Sequence, residues 1–297
     1  MYEQFYKLRE RPFALTPDPS FLYLSKQHGF ALTMLRYGVQ SGAGFCVLTG
    51  EVGSGKTLLV RQLLASIQDE VSVGLLNSLP RDADDLLRWV CMAFGIEHKG
   101  QDVVSLYQLL VDFLLREYAA GRRAVLIVDE AQNLGIDMLE HLRLLSNVND
   151  GKHVVLQTIL VGQPELLETM RSPQLRQFAQ RVAIDYHLQP LGLEDAIAYV
   201  RHRLSVAGGC TDLFSVGAIS IVHQATEGVP RLMNQLCDTA LVYGFAEQQP
   251  SIDAGLMTQV IAGRRAGGIF PDLDAGAQKV EDTARIKPDL RQVPSAQ

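Results

Sequence analysis

The stretch GEVGSGKT, Gly50 to Thr57, decides how the rest of the chain is interpreted. It contains a glycine, four further residues and then Gly-Lys-Thr, which is the pattern of a phosphate-binding loop. In such a loop glycines let backbone N–H groups turn towards the phosphates, the lysine reaches the outer phosphates and the last hydroxyl binds Mg²⁺. A chance glycine-rich turn has the same letters, so the flanking sequence must distinguish the two.

The flanking residues supply the context that a phosphate-binding loop requires. FCVLT, Phe45 to Thr49, is a short apolar run, as expected for a buried strand that enters the loop. KTLLVRQLLASIQ follows the loop and has its leucines and isoleucine at helical spacing. The order strand, loop, helix therefore favours phosphate binding.

A second apolar run, AVLIVDE, ends in the acids Asp129 and Glu130. A continuous apolar run is typical of a strand buried on both faces, and such a strand emerges at the carboxyl edge of a parallel sheet, where ligands bind. In a phosphate-loop enzyme Asp129 would hold Mg²⁺, mostly through its water, and Glu130 would polarise the attacking water. The alternative is a pair of acids that complements a helix dipole.

Another strand, HVVLQTILVGQ, ends in the polar residue Gln163. At the end of a buried strand its side chain is placed where a third polar group could reach the γ-phosphate. Gln163 also precedes the helical stretch QPELLETM, so it has the alternative role of a helix cap or a solvent-exposed residue.

Alternating strands and helices predict a doubly wound α/β fold with five parallel strands, followed by an all-helical lid. Patterns after Leu193 are only helical, and the sequence after Gly263 is poor in large apolar residues. The predicted organisation is an N-terminal linker at 1–36, an α/β domain with the phosphate-binding loop at 37–190, a lid at 191–263 and a flexible tail at 264–297.

Composition and charge narrow the range of partners. Of 297 residues 47% are hydrophobic and 20% charged, which is typical of a globular protein, and the net charge is −6. An acidic chain does not hold nucleic acid or anionic lipid by bulk electrostatics, although its net charge does not exclude a local basic patch that binds them. No run of about 18 apolar residues is present. We therefore expect a cytoplasmic protein without direct membrane insertion, associated with the inner membrane only through a partner.

The order of these motifs resembles the AAA+ ATPases, and three stretches narrow the resemblance further. MYEQFYKLRERPFALTPDPSFLYLSKQH, LQTILVGQPEL and EGVPRLMNQLCDTAL are similar to the general secretion pathway protein A (ExeA-type) family, which has relatives in pilus, exopolysaccharide and exosortase loci. The resemblance covers about residues 1–262. It implies that residues 1–36 form a nucleotide-base region as well as a linker and that 37–190 is an ATPase domain.

The resemblance implies a role for each matching residue. Lys56 and Thr57 would be phosphate and Mg²⁺ ligands, and Gln163 and Arg231 would be the first and second sensors of the γ-phosphate. An arginine finger from a neighbouring subunit would be Arg181, with Arg176 as the competitor. The implied metal ligands are Thr57 and Asp129, the implied catalytic residues Glu130, Lys56, Gln163, Arg181 and Arg231, and the implied nucleotide-binding residues Gly50, Glu51, Val52, Gly53, Ser54, Gly55, Lys56, Thr57 and Leu58.

In function, the resemblance implies an ATPase that uses ATP and Mg²⁺ and self-associates as a ring or filament. It would drive assembly or remodelling of a bacterial secretion, pilus or polysaccharide-export apparatus through a protein partner near the envelope. One alternative is an ATP-dependent regulator that binds duplex DNA, of the transposition target-selection type, which the acidic charge does not favour. Another is a nucleotide-dependent scaffold that hydrolyses ATP slowly.

Overall fold

The apolar run that enters the glycine-rich loop is the first strand of a five-stranded sheet. The computed structural model describes residues 1–16, 18–67, 70–78, 83–148 and 154–267. The strands are β1 (Phe45–Gly50), β2 (Val71–Leu76), β3 (Arg123–Val128), β4 (Leu156–Gly162) and β5 (Val182–Leu188). They pair in the order β2-β3-β4-β1-β5, and every neighbouring pair is parallel.

Helices precede the first strand, connect the strands and follow the last of them. In chain order they are α1 (Tyr2–Phe5), α2 (Lys26–Ser41), α3 (Lys56–Ile67), α4 (Ala83–Ala93), α5 (Val103–Ala119), α6 (Ile136–Leu145), α7 (Pro164–Met170), α8 (Arg176–Ala179), α9 (Leu193–Val206), α10 (Val216–Thr226), α11 (Pro230–Ala246) and α12 (Ala254–Gly267). Short 3₁₀ turns occur at Pro19–Phe21, Ala131–Asn133 and Pro173–Leu175. The predicted α/β sheet followed by helices is confirmed.

Each central strand is buried on both faces, which explains its unbroken apolar sequence. Along β1, Phe45 and Val47 point into the core beneath α4 to α8, whereas Cys46 and Leu48 point into the core beneath α2 and α3. Successive residues of a strand face opposite sides, so two apolar layers require an apolar residue at every position. The sheet is thus doubly wound, with helices on both faces.

The strand order brings three chain segments to one edge of the sheet. Because β4 lies between β3 and β1, the ends of these three strands are neighbours. The glycine-rich loop follows β1, Asp129 follows β3 and Gln163 follows β4. All three strands run parallel, so the segments that follow them leave at the same carboxyl edge.

The described residues divide into two compact units. One is the α/β unit, Thr16–Pro190, and the other consists of Met1–Leu15 together with the residues from Leu191 onward. The predicted region 1–36 is thus shared between the two units, and α12 continues past the predicted lid boundary at 263. Of the predicted tail 264–297, residues 268–297 lie outside the described residues.

The second unit is helical and includes the start of the chain. The ring of Phe13 is buried and lies edge to face with Phe214, with 5.6 Å between ring centroids. Arg203 is buried on α9, and its guanidinium donates to the backbone carbonyls of Pro12 and Ala14. These contacts make the first 15 residues part of the core of this unit.

Candidate nucleotide-binding site

The glycine-rich loop joins the carboxyl end of β1 to the start of α3. Gly53 and Gly55 have φ values of +80° and +100°, the left-handed region that side chains other than glycine rarely adopt. Gly50 is required for a different reason, since a Cβ placed on it would lie 2.7 Å from the carbonyl oxygen of Leu188. The loop therefore depends on its glycines for both backbone conformation and close packing.

Lys56 is the first residue of α3, and its side chain turns back into the loop. Its Nζ donates to the carbonyl oxygens of Gly50, at 2.7 Å, and Glu51, at 2.9 Å. Burial lowers the pKa of the Lys56 ammonium, and the carboxylates of Glu130, Asp129 and Glu51 oppose that shift. An ammonium group has three N–H donors, so these two bonds leave a further donor for an anionic ligand.

Thr57 and Asp129 meet across the edge of the sheet. The Thr57 hydroxyl donates to Oδ2 of Asp129 at 2.9 Å. Magnesium prefers oxygen ligands in an octahedron at about 2.0–2.1 Å, so two adjacent ligands lie about 3 Å apart. A hydroxyl and a carboxylate oxygen at this separation could therefore both bind one Mg²⁺ ion, each of them either directly or through a water molecule.

Glu130 has a backbone conformation that is unusual for its residue type. Its φ is 53° and its ψ 38°, in the left-handed region, and it opens the 3₁₀ turn Ala131–Asn133. Its N–H donates to Oδ1 of Asp129 at 2.9 Å. A left-handed residue with a Cβ costs roughly 1–2 kcal/mol relative to the right-handed form. The conformation of Glu130 therefore carries a local cost in stability.

Two glutamines bind the exposed carboxylate of Glu130. Gln132 donates from Nε2 to Glu130 Oε2 at 2.6 Å, and its Oε1 accepts a bond from the backbone N–H of Gln163 at 3.0 Å. Gln163 donates from its own Nε2 to the same Glu130 oxygen at 3.3 Å. Gln132 was not among the residues predicted from the sequence. The only available signal was its position two residues after Glu130.

The structure brings together Lys56, Thr57, Asp129, Glu130 and Gln163, five of the residues predicted from the sequence. They come from segments that follow three neighbouring strands. Among them are a cation that could contact a phosphate, two oxygens that could bind a divalent ion, a carboxylate that could orient water, and an amide bonded to that carboxylate. This set of groups suits phosphoryl transfer to water.

The predicted arginines are placed differently. Arg181 precedes β5, so it lies at the amino edge of the sheet, about seven residues or roughly 20 Å of strand away from the edge with the loop. Its Nη1 donates to the carbonyl of Arg143 at 3.1 Å and to the hydroxyl of Ser146 at 3.0 Å. Arg176 is exposed at the start of α8. Arg181 is therefore not part of the loop site in its own chain.

Arg231 lies in the helical unit, in the first turn of α11, and is exposed. Pro230 occupies the first position of that helix, where its missing N–H costs nothing. The role of Arg231 as a sensor stays a prediction.

In the part of the chain that the structure describes, no helix is long and apolar enough to span a bilayer.

Comparison with known proteins finds a family model and a relative to which this chain is similar. Residues 39–170 match the model described as an AAA domain. Over 274 residues the chain is 43% identical to General secretion pathway protein A of Aeromonas hydrophila. The alignment covers 91% of this chain and 50% of that protein, so the chain spans half the length of the relative.

Solved structures share the fold at low sequence identity. The ORC2 protein of Aeropyrum pernix, solved as ADPNP-ADP complexes, has a TM-score of 0.62 and 18% identity, over 85% of this chain and 71% of that one. Cdc6p from Pyrobaculum aerophilum has a TM-score of 0.61 and 17% identity, over 80% of this chain and 68% of that one. At these identities the likeness establishes the fold alone.

Proposed function

The chain belongs to the AAA+ ATPases of the general secretion pathway protein A family, and from this premise we propose that it binds ATP with Mg²⁺ and hydrolyses it to ADP and phosphate. The phosphates would lie in the loop Gly50–Leu58. Mg²⁺ would be held by Thr57 and Asp129 and would neutralise charge on the phosphates. Glu130 would accept a hydrogen bond from the attacking water and orient it.

One observation carries this proposal: the contact of 2.9 Å between the Thr57 hydroxyl and the Asp129 carboxylate. These residues are 72 positions apart in the sequence and follow different strands. This pair of oxygens is suited to Mg²⁺, and the Asp129 carboxylate also acts electrostatically on the Lys56 ammonium. Fixed positive charge and positioned polar groups stabilise the charge that spreads over a transferring phosphoryl group.

For the wider role, we propose assembly or remodelling of a bacterial secretion, pilus or polysaccharide-export apparatus. Support comes from the 43% identity to a protein named for the general secretion pathway. The chain would act in the cytoplasm and reach the envelope through a protein partner. Because Arg181 lies at the opposite edge of the sheet from its own loop, an arginine finger there could serve only a neighbouring subunit, which favours a ring or filament.

The first test is ATP hydrolysis against protein concentration, with and without duplex DNA. Glu130→Gln serves as the blank, because an amide keeps the shape of the side chain but is a far weaker acceptor of a proton from water. Lys56→Ala serves as the control for nucleotide binding. We expect hydrolysis that depends on Mg²⁺, a specific rate that rises with protein concentration, and no effect of DNA.

Each alternative outcome has a definite meaning. Sustained hydrolysis by Glu130→Gln would remove Glu130 from its proposed role, and unchanged ATP affinity in Lys56→Ala would contradict the proposed phosphate site. A rate or an oligomer that appears only with DNA would favour the transposition-type regulator. A wild-type rate that is independent of protein concentration would contradict a site completed between subunits.

A further inference from the structure

Helix α2 is fixed at the end that lies far from the glycine-rich loop. Arg123, at the start of β3, donates from Nη1 to the carbonyls of Val39 and Gln40, the latter at 2.6 Å. Gln157, on β4, donates from Nε2 to the carbonyl of Val39 at 3.1 Å. Carbonyls in the last turn of a helix lack partners within the helix, and a cation there also complements the dipole. Two strands of the sheet therefore hold α2 in place.

At its other end α2 presents a buried histidine to the loop. His28 is 5% exposed, and its Nε2 lies 3.1 Å from the carbonyl oxygen of Ser54. A carbonyl oxygen only accepts hydrogen bonds, so Nε2 is the nitrogen that donates. Nδ1 lies 2.7 Å from the hydroxyl of Ser25, which is also the N-cap of α2. The Ser25 hydroxyl thus contacts the other nitrogen of the ring.

The bond to Ser54 acts on the backbone that forms the loop. The carbonyl of Ser54 and the N–H of Gly55 belong to one peptide group, which is planar and trans, so they point in opposite directions. A carbonyl drawn towards His28 therefore directs the N–H of Gly55 away from α2. The fit is close, since a Cβ added to Gly55 would lie 3.3 Å from Nε2 of His28. Backbone N–H groups are the donors with which such loops hold phosphate.

We propose that His28 is a positioning residue: its Nε2–H fixes the Ser54–Gly55 peptide in the orientation that binds the phosphates of a nucleotide. The inference rests on the proposed nucleotide site and adds a residue that lies 22 positions before the loop begins. The ring acts through the peptide and does not itself contact the ligand. The donor at Nε2, rather than the bulk of the imidazole, carries the effect.

The test compares two substitutions of His28 by binding of MgADP, measured by titration calorimetry. His28→Leu removes the donor, and His28→Gln restores an N–H at the same distance along the side chain. We expect His28→Leu to weaken MgADP binding about tenfold, the equivalent of one hydrogen bond of about 1.4 kcal/mol. We expect His28→Gln to stay within about threefold of the wild type. His141→Leu, on α6, is the matched control and should bind as the wild type does.

A second measurement needs no nucleotide. Nitrogen-15 NMR of the histidine rings reports which nitrogen carries the proton, and the geometry requires Nε2–H for His28. A ring protonated only at Nδ1 would overturn the proposal, and this readout holds even if His28→Leu does not fold. The proposal also fails if His28→Leu binds MgADP within twofold of the wild type, or if His28→Gln loses as much affinity as His28→Leu.

These outcomes are separable from a failure of the proposed function. If the wild-type protein does not bind MgADP, the proposed nucleotide site is wrong, and the NMR experiment alone decides whether His28 donates to the loop. If the wild type binds MgADP and both His28 variants bind it as tightly as the wild type does, the nucleotide site stands and only the role of His28 is overturned.

Discussion

Replacing Gln132 with alanine tests how the proposed catalytic carboxylate is held. Gln132 makes two bonds in the structure, one to Oε2 of Glu130 at 2.6 Å and one to the backbone N–H of Gln163 at 3.0 Å. The first bond involves a charged acceptor and the second joins neutral groups. Their loss should therefore have two distinct effects, one on the rate of hydrolysis and one on stability.

The magnitudes follow from the two kinds of bond. A hydrogen bond to a charged group contributes about 1.5–3 kcal/mol, whereas a neutral one contributes about 1 kcal/mol. Because about 1.36 kcal/mol corresponds to a tenfold change in rate, an unheld Glu130 should lower kcat roughly 10- to 100-fold. The lost bond to Gln163 should lower the free energy of unfolding by about 1 kcal/mol. The KM for ATP should change by less than about threefold, since the bonds of Gln132 go to Glu130 and Gln163 and not to the loop.

The assay is steady-state phosphate release with saturating Mg²⁺, together with urea unfolding of each variant. Asn133→Ala, in the same 3₁₀ turn, is the matched control and should keep both kcat and stability. Gln163→Ala should lower kcat less than Gln132→Ala, since its bond to Glu130 is longer, at 3.3 Å. A kcat for Gln132→Ala within twofold of the wild type would refute the argument that this amide orients Glu130.

Three further predictions concern other parts of the molecule. Glu130→Gly should be more stable than Glu130→Ala by about 1 kcal/mol in urea unfolding, because only glycine adopts a φ of 53° without strain, and neither should hydrolyse ATP. Arg181→Ala should lower the rate of ATP hydrolysis at high protein concentration and leave the affinity for ATP intact. Arg176→Ala should leave both unchanged, and the reverse result would assign the arginine finger to Arg176. Glu117 accepts two bonds from the Arg122 guanidinium and one from the Ser72 hydroxyl, and these bonds lower its pKa from 4.5 to about 2. A depressed pKa stabilises the fold above pH 4.5 and loses that effect as the pH falls towards 2, so the stability difference between wild type and Glu117→Gln should shrink over this range.

Sequence patterns were sufficient for the fold and for the loop because both depend on local order along the chain. The apolar run before Gly50 and the one before Asp129 are continuous, and burial on both faces of a sheet is the physical reason. The glycine-rich loop is likewise a local pattern, with Gly53 and Gly55 in conformations that demand glycine. Neither inference needed to know which strands are neighbours.

Contacts between distant segments could not be predicted in this way. That Gln132 bonds both Glu130 and the start of the segment after β4 depends on β4 lying beside β3, and the order of strands is not written in any short stretch. His28 is similar, because only the packing of α2 brings it to the loop. The division of the first 36 residues between two units also depends on contacts between distant segments, since Phe13 packs against Phe214, about 200 positions later.

The arrangement of charge explains why the site would need a divalent ion. Glu130, Asp129, Glu51 and Glu165 all act on the Lys56 ammonium, so one cation faces four carboxylates. Adding the phosphates of a nucleotide alone would increase the negative charge at this edge of the sheet, which lies against the low-dielectric core. A Mg²⁺ ion held by Thr57 and Asp129 would offset part of that repulsion, while the two amides of Gln132 and Gln163 hold the Glu130 carboxylate in place. The acids that would repel a bare nucleotide would therefore make the proposed nucleotide binding conditional on the metal ion that the proposed hydrolysis requires.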